Sequence, residues 1–297
     1  MSRPTVLIGI GATKAGTSWL YRTLADRADC ALPAVKELHY WDTFSPPVRQ
    51  RQLAVFQAQL ARFEVMREEA ETAGRRWQAR NMDRRIADMA GLIAMLDAPR
   101  KGHLAYLAYI RDRGTRTRLV ADICPAYGLL SKAKLKDMVA LGRETRLLYL
   151  VRDPLARLWS AVRMQAERQL FEGQSVPQKS NATLWRILHK GKETHITARG
   201  DYAATLARLA EAVPRDRYRV MVMEELMGDA GYDALCDWLD LPRAPAPVER
   251  KVHAGVEVEM REDLRDRALK ELAPQYDAVA AHLGRVPAAW AANMKAL

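Results

Sequence analysis

A glycine-rich segment near the start of the sequence could bind an anion. Residues 11–18, GATKAGTS, follow a β-branched and aliphatic run at 5–10 and precede an apolar pattern with helical spacing. A loop between a strand and a helix presents backbone N–H groups at the positive end of the helix dipole, which suits a phosphate. A plain strand-to-helix turn is the alternative, and the presence of Lys14, Thr17 and Ser18 together argues against it.

The position of the lysine distinguishes this loop from that of a nucleotide triphosphatase. In those enzymes the lysine directly follows the second glycine of GxxxxG, and the next hydroxyl holds magnesium. Here Thr17 and Ser18 follow Gly16, and Lys14 lies inside the loop. We therefore expect Lys14 to direct its charge at a shorter anionic tail, in a site that requires no metal.

A second strand–turn–helix pattern places an arginine at the end of a strand. The apolar run at 146–151 is typical of a buried parallel strand, and Asp153-Pro154 suits the first turn of a helix. Arg152 lies between the two, and Ser160 lies farther along the helix. Arg152 could bind an anion, cap the helix or pair with Asp153, while Ser160 could be an ordinary helix residue.

The segment KELHYW at 36–41 brings a carboxylate and an imidazole close together in sequence. Glu37 could be half of an exposed ion pair with Lys36. His39 could take part in proton transfer, or it could pack beside the aromatic residues that follow it. The residue types alone leave both alternatives open.

The order of predicted elements indicates an α/β fold. Strands are predicted at 5–10, 118–123, 146–151 and 218–223, with helical patterns between them. A further short strand is predicted within 32–41, ending in a loop that contains Lys36, Glu37, His39 and Tyr40. Such alternation favours an open parallel sheet flanked by helices, which we expect to form a single domain spanning residues 1–297. An amphipathic helical insertion is predicted at about 47–100, and a polar, irregular loop on the acceptor side at about 171–199.

Composition and charge restrict the class of protein. The chain has 297 residues, of which 49% are hydrophobic and 28% charged, so disordered and fibrous classes are excluded. A formal charge of +11 favours anionic partners. The three cysteines are widely spaced and fit reduced core thiols. The apolar stretch at 6–12 is too short to span a bilayer and runs into the glycine loop, so we expect a cytoplasmic protein without a transmembrane segment.

Two motifs together carry a family resemblance. The loop KAGTS at 14–18 resembles the 5′-phosphosulfate loop of sulfotransferases that use 3′-phosphoadenosine-5′-phosphosulfate (PAPS). The motif LYLVRDP at 148–154, with Ser160 after it, is similar to the 3′-phosphate motif of the same family. The segment at 36–41 looks like the Lys-Glu-x-His-aromatic-aromatic segment of the branch that contains heparan sulfate and bacterial carbohydrate sulfotransferases.

The resemblance implies a P-loop-like fold, PAPS as donor and a role for individual residues. Glu37 corresponds to the proposed base, Lys14 stabilises the leaving phosphate, and His39 is a second base or orients the acceptor. The donor-binding residues implied are Lys14, Ala15, Gly16, Thr17, Ser18, Trp19, Arg152, Ser160 and Lys251. The reaction implied is sulfuryl transfer to an acceptor hydroxyl by in-line displacement, which releases 3′,5′-adenosine bisphosphate (PAP) and needs no metal.

The acceptor implied by the resemblance is a carbohydrate, with a small metabolite as the alternative. Two other functional classes remain as competing hypotheses. A P-loop kinase or ATPase would require magnesium ligands, for which Asp122 is the only candidate. A basic scaffold for anionic glycan or nucleic acid would explain the charge but would leave Lys14, Glu37 and Arg152 without roles, and we expect no nucleic-acid partner.

Overall fold

A five-stranded sheet forms the centre of the computed structural model, which describes residues 4–111, 117–247 and 258–297. The strands are β1 (Thr5–Gly11), β2 (Cys30–Ala31), β3 (Leu119–Ile123), β4 (Thr145–Val151) and β5 (Tyr218–Val222). Their order in the sheet is β2-β3-β1-β4-β5, and every pair is parallel. The prediction of an open parallel α/β sheet flanked by helices is therefore confirmed.

The helices lie between and after the strands. They are α1 (Thr17–Ala25), α2 (Pro46–Thr72), α3 (Arg76–Asp97), α4 (Leu104–Arg111), α5 (Lys132–Val139), α6 (Pro154–Arg168), α7 (Val176–Lys190), α8 (Thr194–Ala198), α9 (Tyr202–Ala212), α10 (Met223–Leu226), α11 (Asp229–Trp238), α12 (Glu262–Leu283) and α13 (Ala291–Lys295). Among the described residues, no helix combines the length and apolar character needed to cross a bilayer.

The strand register brings two loops to one edge of the sheet. β1 is the central strand, and its pairing with β4 runs from Val6 opposite Thr145 to Gly11 opposite Tyr149. Because the strands are parallel, the loop that follows β1 and the loop that follows β4 both leave the carboxyl edge. Every residue of β1 and β3 is buried, as expected for strands covered by helices on both faces.

Two segments differ from the predictions. The short strand predicted to begin at 32 and to end before the loop at 36–40 lies instead at Cys30–Ala31, because Pro33 lacks the N–H that a ladder requires. The region at 171–199, predicted to be irregular, contains α7 and α8. In α7, Leu184, Ile187 and Leu188 form a buried stripe that the polar residues around them obscured in the sequence.

The region predicted to be helical at about 47–100 contains α2 and α3, which pack along each other as a hairpin. Their buried residues include Phe56 and Phe63 on α2 and Met89 and Leu92 on α3. The Arg67 side chain joins the two helices, because its Nε donates a 2.7 Å hydrogen bond to Asp83. The hairpin thus buries a narrow apolar seam and exposes its charged faces.

Candidate active site

The loop after β1 is shaped for an anion at the start of α1. Gly16 is the N-cap of α1 with φ of 89°, and no side chain of the described residues caps the helix. A Cβ atom on Gly16 would also lie 2.7 Å from Cγ of Met223, so conformation and space both favour glycine here. The first-turn N–H groups of α1 are therefore left to a ligand or water.

Lys14 lies inside this loop with φ of 69° and is half-buried. Its Nζ lies 3.8 Å from Sδ of Met164, and it forms no ion pair with the described residues. Burial lowers the pKa of Lys14, and the charges of Arg152, Arg163 and Arg168 lower it further, against the opposing charge of Glu167. Lys14 thus lies among other positive charges, and a bound anion would reduce the repulsion between them.

Arg152 contacts the same loop from the end of β4. Its Nη1 lies 3.5 Å from the backbone oxygen of Lys14, and its buried Nε has no hydrogen-bond partner among the described residues. Asp153 caps α6 by accepting a 2.8 Å hydrogen bond from the N–H of Ala156. The other oxygen of Asp153 accepts from Tyr276 and Asn293. Arg152 is therefore neither the helix cap nor the partner of Asp153.

A cavity of about 650 Å³ unites many of the predicted residues. Its lining comprises Thr13, Lys14, Thr17, Ser18, Lys36, Glu37, His39, Pro125, Ala126, Ser160, Arg163, Met164, Glu167, Arg168 and Arg199. The cavity thus brings Lys14 and the loop hydroxyls together with Glu37, His39 and Ser160. This volume suits a ligand of drug size.

Other predicted residues lie outside the cavity lining. The Trp19 side chain is 2% exposed, packs edge-on against Tyr232 and donates a 3.4 Å hydrogen bond to the backbone oxygen of Pro247. Ala15 is fully buried, so it can contribute only backbone groups. Lys251 lies outside the described residues.

Lys36 connects the acidic residue to the glycine loop. Its Nζ donates to Glu37 Oε1 at 2.9 Å and to the hydroxyls of Thr17 and Ser18 at 3.3 and 3.2 Å. The predicted Lys36–Glu37 ion pair is therefore present, but it forms part of the cavity wall. In the sequence, Lys36 stands out only as the neighbour of Glu37. The number of residues between Lys36 and the glycine loop gives no signal for its contact with Thr17 and Ser18.

His39 is oriented by a carboxylate that the sequence reasoning missed. Its Nδ1 lies 2.7 Å from Oδ2 of Asp42, and its Nε2 lies 3.9 Å from Oε2 of Glu37. Burial alone would lower the pKa of His39, but the hydrogen bond and charge of Asp42, together with the charges of Glu37 and Asp122, raise it. The i,i+3 spacing of His39 and Asp42 is the signal that could have predicted this pair.

The backbone of this segment is unusual. Glu37 and His39 adopt φ values of 65° and 52°, in the left-handed region that side chains other than glycine rarely occupy. Such residues persist where the surrounding structure holds them, often at functional sites. The N–H of Tyr40 donates a 3.0 Å hydrogen bond to the hydroxyl of buried Tyr127, which is one of the contacts that hold the segment.

Asp122 lies beneath the segment and not in the cavity. It is 1% exposed, and its Oδ2 accepts hydrogen bonds from Tyr127 at 2.8 Å and Tyr106 at 3.1 Å. Burial raises the pKa of Asp122 to about 7, although the two tyrosine hydrogen bonds oppose this shift. A carboxyl group in this position is poorly placed to hold the magnesium of a kinase or ATPase, which weakens that hypothesis.

One cluster contains potential metal ligands. Ligand atoms of His39, Asp42 and Cys124 all lie within 4.8 Å of one another. Burial raises the pKa of Cys124 well above its usual value, which favours the neutral thiol over the thiolate that metals bind. The Nδ1 of His39 is also engaged by Asp42. We therefore assign this cluster to the orientation of His39.

Comparisons with known proteins identify the fold. No family model matches the sequence, and no curated protein matches it at a significant level. A sulfotransferase from Alicyclobacillus acidocaldarius aligns over 98% of this chain and 100% of its own length, with a TM-score of 0.61 and 21% identity. A sulfotransferase domain from the curacin biosynthetic pathway aligns over 96% and 99%, with a TM-score of 0.49 and 16% identity. The first of these alignments shows that the chain has the fold of a sulfotransferase.

Proposed function

We propose that the protein is a sulfotransferase that moves a sulfuryl group from PAPS to a hydroxyl of an acceptor. The observation that carries this proposal is the shared cavity, in which the cationic loop of Lys14 faces Glu37 and His39. The sulfotransferase fold and the two sequence motifs support the same reaction.

Several features of the chain fit the donor. The uncapped N-terminus of α1, the hydroxyls of Thr17 and Ser18, and Lys14 would hold the 5′-phosphosulfate. Arg152, whose buried Nε has no partner among the described residues, and Ser160 on α6 would hold the 3′-phosphate. The resemblance adds Lys251 to the donor site as a further proposal.

The acid–base chemistry falls to Glu37 and His39. When bound, the donor supplies the sulfuryl group and the phosphate that leaves. Glu37 accepts the proton of the acceptor hydroxyl while that oxygen forms its bond to sulfur and the bond from sulfur to the bridging phosphate oxygen breaks. The electron pair of the broken bond stays on the phosphate oxygen, and Lys14 stabilises the negative charge that develops there. His39, oriented by Asp42, presents Nε2 towards Glu37 and can position the acceptor hydroxyl.

The acceptor that we favour is a carbohydrate, as the resemblance implies, and a small metabolite is the alternative. The cavity contains mostly polar lining residues, which suits a ligand with many hydroxyl groups. No metal is needed for the proposed chemistry, because lysine and backbone amides supply the positive charge.

The test combines a binding and a transfer measurement. Titration calorimetry should show binding of PAP without magnesium and weaker or absent binding of magnesium–ATP. Radiolabelled PAPS should then transfer label to a member of an alcohol panel, and Lys14→Ala should lower that rate by about 10²–10³-fold. Arg80→Gln, an exposed substitution on α3 away from the cavity, is the matched control. Binding of magnesium–ATP alone would contradict the proposal.

A further inference from the structure

The cavity wall contributed by the end of α6 and the turn before α9 is rich in arginine. Arg163 and Arg168 lie on α6, and Arg199 directly follows α8. All three line the cavity, yet neither sequence motif accounts for them. Arg168 and Arg199 form no hydrogen bond or ion pair with the described residues and are exposed. Two guanidinium groups at a cavity wall therefore lack a partner within the described part of the chain.

We propose, as an extension of the sulfotransferase function, that the acceptor carries an anionic group, a carboxylate, sulfate or phosphate ester, and that Arg168 and Arg199 bind it. This assigns a substrate class, an anionic alcohol, and two specificity-determining residues. The proposal rests on the sulfotransferase function and would fall with it.

The geometry of α6 separates Arg168 from the site proposed for the 3′-phosphate. Ser160, Met164 and Arg168 follow one another at helical i,i+4 steps and share the face that lines the cavity. Eight residues of helix correspond to a rise of about 12 Å between Ser160 and Arg168. If Ser160 contacts the 3′-phosphate, Arg168 lies about two helical turns beyond it, where its guanidinium can meet an anionic group of the acceptor.

The balance of charge in the cavity points in the same direction. The lining contains five cationic side chains and two carboxylates, Glu37 and Glu167. Lys36 is already paired with Glu37, and Lys14 is assigned to the donor. Of the remaining cations, Arg168 and Arg199 form no ion pair with the described residues, and Glu167 is the second carboxylate of the lining. The lining therefore carries a net positive charge, which attracts an anionic acceptor.

The backbone that carries Arg199 is held by the residues beside it. Nη2 of buried Arg157 donates a 2.9 Å hydrogen bond to the backbone oxygen of Ile196. The backbone of Gly200 lies directly on the same guanidinium, because a Cβ at that position would be 2.5 Å from Cζ of Arg157. Arg157 thus fixes the backbone of the turn from which the exposed Arg199 side chain extends.

The test uses PAP-saturated protein and acceptor probes in matched pairs. One pair is p-nitrophenyl β-D-glucuronide and p-nitrophenyl β-D-glucoside, and others are phosphorylated and free forms of the same sugar alcohol. In one pair or more, we expect the anionic member to bind about tenfold more tightly than the neutral member, or better. A tenfold difference in affinity corresponds to one charge-assisted hydrogen bond. Arg168→Gln and Arg199→Gln should each remove about tenfold from that affinity and leave the neutral member unchanged. Arg80→Gln is the matched control.

The outcomes separate the two proposals. Failure of PAP to bind the wild-type protein would overturn the sulfotransferase function and this inference with it. If PAP binds but both members of every pair behave alike, undetectable binding of both included, only the anionic acceptor is overturned. A preference that persists unchanged in Arg168→Gln and Arg199→Gln would overturn the assignment of these two residues. Because both side chains are exposed and form no hydrogen bond or ion pair with the described residues, unchanged PAP affinity in the variants also verifies their folding.

Discussion

The hydroxyl of Tyr127 donates a 2.8 Å hydrogen bond to Asp122 and accepts a 3.0 Å hydrogen bond from the backbone N–H of Tyr40. This relationship links the end of β3 to the segment that carries Glu37 and His39. Tyr127 and Asp122 are both almost completely buried, so water cannot replace either bond. The candidate base is therefore supported from the core of the protein.

Removal of the Tyr127 hydroxyl should loosen this support. Tyr127→Phe leaves the buried N–H of Tyr40 without its partner and leaves Oδ2 of Asp122 with the hydrogen bond from Tyr106, so we expect a loss of about 1–3 kcal/mol in the free energy of unfolding. Sulfuryl transfer should slow while PAP affinity stays constant. Denaturant unfolding and calorimetry measure these effects. Tyr218→Phe, whose hydroxyl has no hydrogen bond to the described residues, is the control, and equal effects of the two substitutions would contradict the prediction.

The buried carboxyl of Asp122 should make stability depend on pH. Its pKa is raised to about 7 in the folded protein from 3.8, so the native state holds a proton that the unfolded chain releases. The stability from this group is complete below pH 3.8 and is lost as pH rises towards 7, with a slope of up to about 1.4 kcal/mol per pH unit. Asp122→Asn should abolish this slope. If the free energy of unfolding changes with pH in the same way in the wild type and in Asp122→Asn between pH 4 and 7, the prediction for Asp122 is contradicted.

The Asp42 carboxylate should set the protonation of His39. Asp42→Asn removes the charge and weakens the hydrogen bond that raise the pKa of His39, so we expect that pKa to fall. An NMR titration of the imidazole Cε1–H resonance measures it. Asp83→Asn, which alters a surface pair on α3, should leave the titration of His39 unchanged. A pKa that stays constant in Asp42→Asn would show that the pair does not govern His39.

Glu37→Gln should separate chemistry from donor binding. The amide cannot accept a proton but retains nearly the same size, so transfer should fall by about 10²–10⁴-fold while PAP affinity persists. Glu64→Gln, at an exposed position on α2, is the matched control. An unchanged transfer rate would remove Glu37 from the role of base.

Arg152→Ala should act chiefly on donor binding. Loss of a charged hydrogen-bond donor for the 3′-phosphate should weaken PAP binding by about 10–100-fold. Arg152→Lys should recover only part of this affinity, because lysine lacks the planar fork of arginine. Calorimetry of PAP provides the measurement. Equal affinities for the wild type and Arg152→Ala would place the 3′-phosphate elsewhere.

Much of the fold was predictable from local patterns. The apolar runs at 5–10, 118–123, 146–151 and 218–223 correspond to β1, β3, β4 and β5, because strands buried on both faces must be continuously apolar. The helices within 171–199 were missed, since the apolar residues of α7 are spaced among many polar ones. The short strand predicted from residue 32 was wrong, because the paired residues are Cys30 and Ala31, while the loop predicted at 36–40 agrees with the structure.

Local spacing and residue type were enough to predict the α/β order of elements and to propose Lys14, Glu37, His39 and Arg152 as the residues suited to chemistry. Which of these residues lie together depends on how the chain packs in three dimensions. The contact of Tyr127 with Tyr40, and the shared cavity of Lys14 with Arg168 and Arg199, join distant parts of the chain. Such contacts arise from packing around the sheet, which no local pattern in a single sequence encodes.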